Sequence, residues 1–219
     1  GNHHAVAAER INGTAVVVAP ISGHAPSQGT AGDGHSHSHA NGWALGGLRG
    51  DDGGVQWSQP ISEERCTLHA VADPAFGDVD GDGDLEVVAA TTEEMLETYD
   101  PVFGTVLSQT ELDAYGFTRP LVGRFLPTEG SRTGNDVVVV DVRGNVVLTG
   151  ADGEVRWRHE LDGDVQAEPH AVSLDSDPQK ELVATLTTGE IVALEPGAGV
   201  LWNHTLADAS FTWSAAGHL

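Results

Sequence analysis

The chain repeats itself, and the length of the repeat restricts the fold. The segment Asp78-Val-Asp80-Gly-Asp82-Gly-Asp84-Leu-Glu86 aligns with Ser173-Leu-Asp175-Ser-Asp177-Pro-Gln179-Lys-Glu181. The residues that follow stay in register: Leu85-Glu-Val-Val-Ala-Ala-Thr-Thr falls on Lys180-Glu-Leu-Val-Ala-Thr-Leu-Thr, and Asp100-Pro101 on Glu195-Pro196. His4-Ala-Val-Ala-Ala-Glu9 aligns with His170-Ala-Val-Ser-Leu-Asp175, and Ala15-Val-Val-Val with Glu181-Leu-Val-Ala. Ala75, Leu121, His170 and Ala215 mark the same place in successive units. Their spacing of about 45–50 residues is that of stacked supersecondary units such as four-stranded propeller blades. A second landmark closes each unit: Asp52-Gly-Gly-Val-Gln-Trp57, Phe103-Gly-Thr-Val-Leu-Ser108, Asp152-Gly-Glu-Val-Arg-Trp157 and Gly197-Ala-Gly-Val-Leu-Trp202.

Within a unit the apolar runs are short and β-branched, as in Asp136-Val-Val-Val-Val-Asp141, Asn145-Val-Val-Leu-Thr149 and Glu154-Val-Arg-Trp157. Gly144-Asn145 and Asp152-Gly153 separate them, which is hairpin chemistry. No long segment has a helical period, so the expectation is an all-β chain. Each unit supplies four strands, for instance residues 168–174, 182–186, 190–194 and 200–204. One small sheet cannot bury both faces alone, so the units stack radially into a β-propeller. The recurring Trp is expected to wedge between neighbouring blades. Four four-stranded blades are visible, at about 3–60, 68–113, 117–162 and 166–207, and residues 211–219 read as the first strand of a fifth. The expectation is therefore part of a larger propeller.

Phe76-Gly77 followed by the acidic segment 78–86 resembles the FG-GAP repeat of integrin-α type, whose calcium loop joins two strands of a blade. The Gly-x-Val-x-Trp endings, clearest in residues 193–202, are similar to quinoprotein (PQQ-like) repeats. These resemblances imply a propeller with calcium in its loops. For the quinoprotein side they imply a class in which some members carry an axial cofactor.

Composition bears on partners. Ten Lys+Arg against 33 Asp+Glu give a formal charge of −23, and Lys180 is the single lysine. Nucleic acids and anionic membranes need cationic contacts, so neither is expected as a partner. Self-repulsion at this charge is screened in strong salt, where the Debye length is about 3 Å at 1 M. Such acid-rich, lysine-poor sequences resemble proteins of halophilic archaea. Cys66 is alone, which excludes an intramolecular disulfide. No apolar run is long enough for direct membrane insertion. The sequons Asn12-Gly-Thr14 and Asn203-His-Thr205 permit glycosylation if the chain is exported, and calcium loops of low affinity suit the extracellular side.

The strongest candidate site is the acidic loop. Alternating carboxylates at Asp78, Asp80, Asp82 and Asp84 can converge on one hard cation, Gly81 and Gly83 permit the tight path, and Glu86 is a further ligand candidate. The twelfth position of an EF-hand loop would fall on Ala89 instead of Glu, so that motif is rejected. A weaker second calcium site is expected at Asp175, Asp177, Gln179 and Glu181, beside Ser173, with Pro178 replacing a glycine and Lys180 adding a cation. An insertion at 21–41 holds His35-Ser-His37-Ser-His39, whose alternating imidazoles can face one Zn²⁺ or Cu²⁺ ion, or else form a solvated loop.

No activated Ser or Cys motif and no phosphate-cradling loop is present. The leading expectation is a non-catalytic, calcium-binding propeller of a secreted or cell-surface assembly. It would meet a protein or glycan, further copies of itself, or the rest of a longer chain. The alternatives are a propeller enzyme, either a quinoprotein-type oxidoreductase or a polysaccharide lyase, and transition-metal capture by the His run.

Overall fold

The computed structural model describes residues 6–11, 13–22, 43–62, 72–91, 93–116, 118–127, 133–165 and 167–206. It contains sixteen strands and, among these residues, no helix. Blade 1 is β1 (Ala7–Ile11), β2 (Thr14–Ser22), β3 (Trp43–Arg49) and β4 (Val55–Ser62). Blade 2 is β5 (Ala75–Gly77), β6 (Glu86–Ala90), β7 (Met95–Tyr99) and β8 (Val106–Glu111). Blade 3 is β9 (Leu121–Gly123), β10 (Asp136–Val140), β11 (Asn145–Thr149) and β12 (Val155–Glu160). Blade 4 is β13 (His170–Val172), β14 (Glu181–Thr185), β15 (Glu190–Glu195) and β16 (Gly199–Thr205).

Each blade is an antiparallel meander with its strands in sequence order. The first strands touch in series, β1 to β5, β5 to β9 and β9 to β13, so they line one axis while the later strands lie outward. That is the β-propeller arrangement. No described helix is long and apolar enough to cross a membrane.

The apolar runs acquire their meaning from blade stacking. Successive strand residues point to opposite faces, and in blades 2 and 3 both faces are covered by neighbouring blades. Val87 and Ala89 pack with Val16, Val18, Leu45 and Trp57 of blade 1. Val88 and Ala90 turn the other way, onto Val137, Val139 and Val147 of blade 3. Val138, Val140, Val146 and Leu148 then meet Leu182, Ala184, Leu186 and Leu194 of blade 4. A strand buried on both sides reads as a continuous hydrophobic run instead of an alternation, as β10 does.

The Gly-x-Val-x-Trp landmark is a β-bulge repeated in all four blades. The pairing steps from Leu48↔Val55 to Gly47↔Trp57, from Tyr99↔Val106 to Thr98↔Ser108, from Thr149↔Val155 to Leu148↔Trp157, and from Leu194↔Val200 to Ala193↔Trp202. The extra residue increases local twist and re-aims the next side chain. Trp57 is thereby set between blades 1 and 2: its Nε1 donates to the Pro101 carbonyl at 2.8 Å, and its ring stacks on Tyr99 at 6.1 Å. Gly104, with φ +68°, lies so close that an added Cβ would sit 2.5 Å from the indole.

In blade 1 the register differs from the repeat alignment. Ala8, and not the residue aligned with His170, lies opposite Val17, and Ile11 pairs with Thr14. Gly13, at φ +84°, allows this tight reversal, so the first blade has no acidic loop. The fifth-strand segment 211–219 lies outside the described residues.

Beside Trp57, buried Tyr99 donates its hydroxyl to Glu97, and Gln109 donates to the other carboxylate oxygen of Glu97. Burial, then the bond to Glu97 and its charge, raise the Tyr99 pKa far above 10.0. The folded protein therefore keeps a proton that the unfolded chain loses near pH 10. The associated stability is complete below that pH and is lost as pH rises beyond it. Tyr99→Phe is expected to cost about 1–3 kcal/mol at pH 7, because a buried Glu97 oxygen loses its donor. It is also expected to flatten the alkaline limb of urea unfolding followed from pH 7 to 11. An unchanged pH 7 midpoint would contradict the assignment.

Candidate metal centre

The segment joining β5 to β6 is built from its own carboxylates. Asp78 Oδ1 accepts the Gly81 N–H at 2.6 Å, Asp80 Oδ1 accepts from Asp82 at 3.0 Å, and Asp82 Oδ1 accepts from Asp84 at 2.8 Å. The last two are Asx turns, in which a short acidic side chain substitutes for a backbone acceptor. Gly81 and Gly83 take φ +84° and +96°, a region that most side-chain-bearing residues avoid.

This winding brings the half-buried Asp78, the exposed Asp80 and the buried Glu86 together, with one carboxylate oxygen from each within 4.8 Å of the others. Glu86, at the first position of β6, accepts the Val79 N–H at 2.7 Å. Burial raises its pKa above 4.5; the Val79 N–H opposes the shift, while the charges of Asp80 and Asp82 add to it. Three mutually repelling carboxylates in this space favour a cation among them. Calcium takes oxygen ligands at about 2.3–2.6 Å, so two ligands on opposite sides stand roughly twice that apart. The residues present therefore fit a calcium ion. Asp82 and Asp84 are exposed and stand outside the converging set.

The loop between β13 and β14 repeats the construction. Asp175 Oδ1 accepts from Asp177 at 2.8 Å, Asp177 Oδ1 accepts from Gln179 at 2.9 Å, and Glu181 accepts the Leu174 N–H. Asp175, Asp177 and Glu181 converge within 4.8 Å. Lys180 donates to Ser173 at 2.8 Å. By the repeat alignment these ligands match Asp80, Asp82 and Glu86. The second loop thus uses the counterpart of Asp82 where the first uses Asp78.

Blade 3 shows a role that the sequence reading missed. Asp136, fully buried at the first position of β10, accepts the N–H groups of Phe125 and Leu126 at 3.0 and 2.9 Å. It stands where Glu86 and Glu181 stand, so an acid at this place closes the loop in blades 2, 3 and 4. The available signal was positional: a lone acid opening a run of valines in register with two glutamates.

The acidic loop is seated against blade 3. Asn135 Nδ2 donates to the Asp78 carbonyl at 2.7 Å, and Thr133 Oγ1 to that of Asp80 at 3.4 Å. A Cβ on Gly134 would lie 2.0 Å from the Val79 oxygen. Beside this seam is a cleft of about 280 Å³ lined by Asp80, Asn135 and Arg156, with Arg156 paired to Asp152 at 3.1 Å.

Asn203 lies on exposed β16. Asn12, Cys66, His35, His37 and His39 lie outside the described residues.

No protein-family model matches the chain. No curated protein matches it either. Solved structures do. A rhamnogalacturonan lyase of Bacillus licheniformis superposes at TM-score 0.62 with 14% identity, over 93% of this chain and 40% of that one. BamB from Moraxella catarrhalis gives 0.54 with 15% identity, over 79% and 46%. A europium-containing methanol dehydrogenase gives 0.54 with 12% identity, over 78% and 41%. The chain thus spans less than half the length of each. At such identities the likeness carries the fold alone, and that fold is the β-propeller.

Proposed function

We propose that this chain is a calcium-stabilised, non-catalytic β-propeller serving as a binding or structural module of an extracellular or cell-surface assembly, with a protein or glycan partner. The convergence of Asp78, Asp80 and Glu86 within 4.8 Å carries the reading. The Asx-turned loop that holds them, and its repetition in blade 4, support it. The ion's part is structural: it cancels repulsion on a loop pinned to the next blade and so ties blade 2 to blade 3. A formal charge of −23 accords with a protein working in strong salt.

Calcium at a hundred times its dissociation constant, bound only by the folded state, stabilises by about 2.7 kcal/mol. Thermal melts in molar KCl, with calcium and then with excess chelator, are expected to show that gain. Asp80→Ala is expected to abolish most of it, and Asp175→Ala to remove less. Identical melts with calcium and chelator would sink the calcium reading.

A further inference from the structure

The cleft beside the seam of blades 2 and 3 follows from the meander. In each blade the loop from first to second strand and the turn from third to fourth open on the same face. The loops before β6 and β10 and the turn before β12 therefore meet there. Gly134, Gly150 and Ala151 keep the walls free of bulk and leave about 280 Å³. That volume lies at the small end of the roughly 300–1,000 Å³ usual for ligand clefts, so it suits one ring of a ligand and not a peptide segment.

Its polar groups are held in place and only partly used. Asp152 takes the Arg156 guanidinium by Nη2 alone, at 3.2 and 3.1 Å. The guanidinium lies against Gly150, where an added Cβ would come 2.3 Å from Nε and Nη2. Among the described residues, Nε and Nη1 meet no acceptor, although the side chain is only 32% exposed. Asn135 is oriented by the Asp78 carbonyl, which accepts from its Nδ2, so its Oδ1 is left as an acceptor with no donor among those residues. Asp80 Oδ1 accepts from Asp82, and its Oδ2 likewise meets no donor there.

We infer that this cleft is the site of a neutral glycan, which enters by a vicinal diol. A hydroxyl both donates and accepts. Two adjacent hydroxyls can therefore accept from Nε and Nη1 of Arg156 and donate to Asn135 Oδ1 and Asp80 Oδ2. An anion would satisfy the guanidinium alone, and would face Asp80 and Asp152 on a chain of formal charge −23. A cation would face Arg156. The mixed set of donors and acceptors favours the uncharged ligand. Strong salt screens distant charges and leaves such short hydrogen bonds in place. The inference rests on the glycan half of the proposed function and does not need the ion, although Asp80 is shared with the converging carboxylates.

Amide NMR titration in molar KCl with calcium present tests it, using the methyl glycosides of glucose, galactose and mannose, and glucuronate, as probes. At least one neutral glycoside is expected to give saturable shifts at Gly134, Gly150 and Ala151, with a Kd on the order of 1 mM for a ligand of this size. Arg156→Ala is expected to weaken that binding at least about tenfold. Arg156→Lys keeps a charge for Asp152 but lacks the Nε–Nη1 edge, and is expected to weaken it similarly. Arg158→Ala, on the same strand but paired to Asp113, is expected to leave it unchanged. Glucuronate binding more tightly than the neutral glucoside would reveal an anion site and overturn the inference, as would binding indifferent to both Arg156 variants. Shifts confined to other amides would preserve a glycan partner and overturn this site. No shift with any probe would remove both, while the calcium melts report the ion separately.

Discussion

Replacing Trp57 by alanine is expected to lower the unfolding free energy by about 3–5 kcal/mol. The indole fills the gap between Gly47 and Gly104, stacks on Tyr99 and uses its N–H on the Pro101 carbonyl, so truncation leaves a cavity and an orphaned acceptor. The same change at half-buried Trp157 is expected to cost less. Trp202 is 44% exposed, and Trp202→Ala is expected to stay within about 0.5 kcal/mol. Urea unfolding of the three variants in molar KCl gives the ranking. Gly104→Ala attacks the seat from the opposite blade and is strained at φ +68° besides. Combined with Trp57→Ala it is expected to fall short of additivity, since both changes disturb one contact. Equal costs at Trp57 and Trp202 would show that the slot does not serve as an inter-blade wedge.

The second large effect is expected at Asp136. Alanine there removes the acceptor for two N–H groups at once, and each unsatisfied buried donor costs about 1–3 kcal/mol. A loss of roughly 2–6 kcal/mol follows, with increased amide hydrogen exchange at Phe125 and Leu126 as the specific readout. Asp136→Asn keeps an acceptor oxygen and is expected to recover much of the loss. If alanine and asparagine behave alike, Asp136 is not closing the loop through those two bonds.

Much of the architecture was legible because the repeat sets the blade length and the turn residues set the strand ends. The valine run 137–140 was readable as strand, since no helix start or stop interrupts it. The face that each valine serves depends on neighbours that only the stacked structure supplies. Blade 1 was harder: 4–9 is a weak apolar tract, and matching it to 170–175 shifted the hairpin that Gly13 closes. At the acidic loop, the alternating aspartates marked the place but not the grouping. The loop's turns and the Val79 N–H bond to Glu86 group Asp78, Asp80 and Glu86 and leave Asp82 and Asp84 outside. The burial of the Glu97–Tyr99 pair had no sequence signal, because Tyr99 is covered by Trp57 of the neighbouring blade.

The alternation of faces along β10 also governs where this chain can grow. Val137 and Val139 belong to the core shared with blade 2, and Val138 and Val140 to the core shared with blade 4. One added residue within the strand would exchange those allegiances and mismatch two interfaces together. Length can therefore vary freely only outside the ladders. The stretch between Ser22 and Trp43 and the longer loop between Gly123 and Asp136 both obey this rule. Each sheet thus behaves as a ruler of fixed gradation, and novelty in a chain of this kind is confined to its rims.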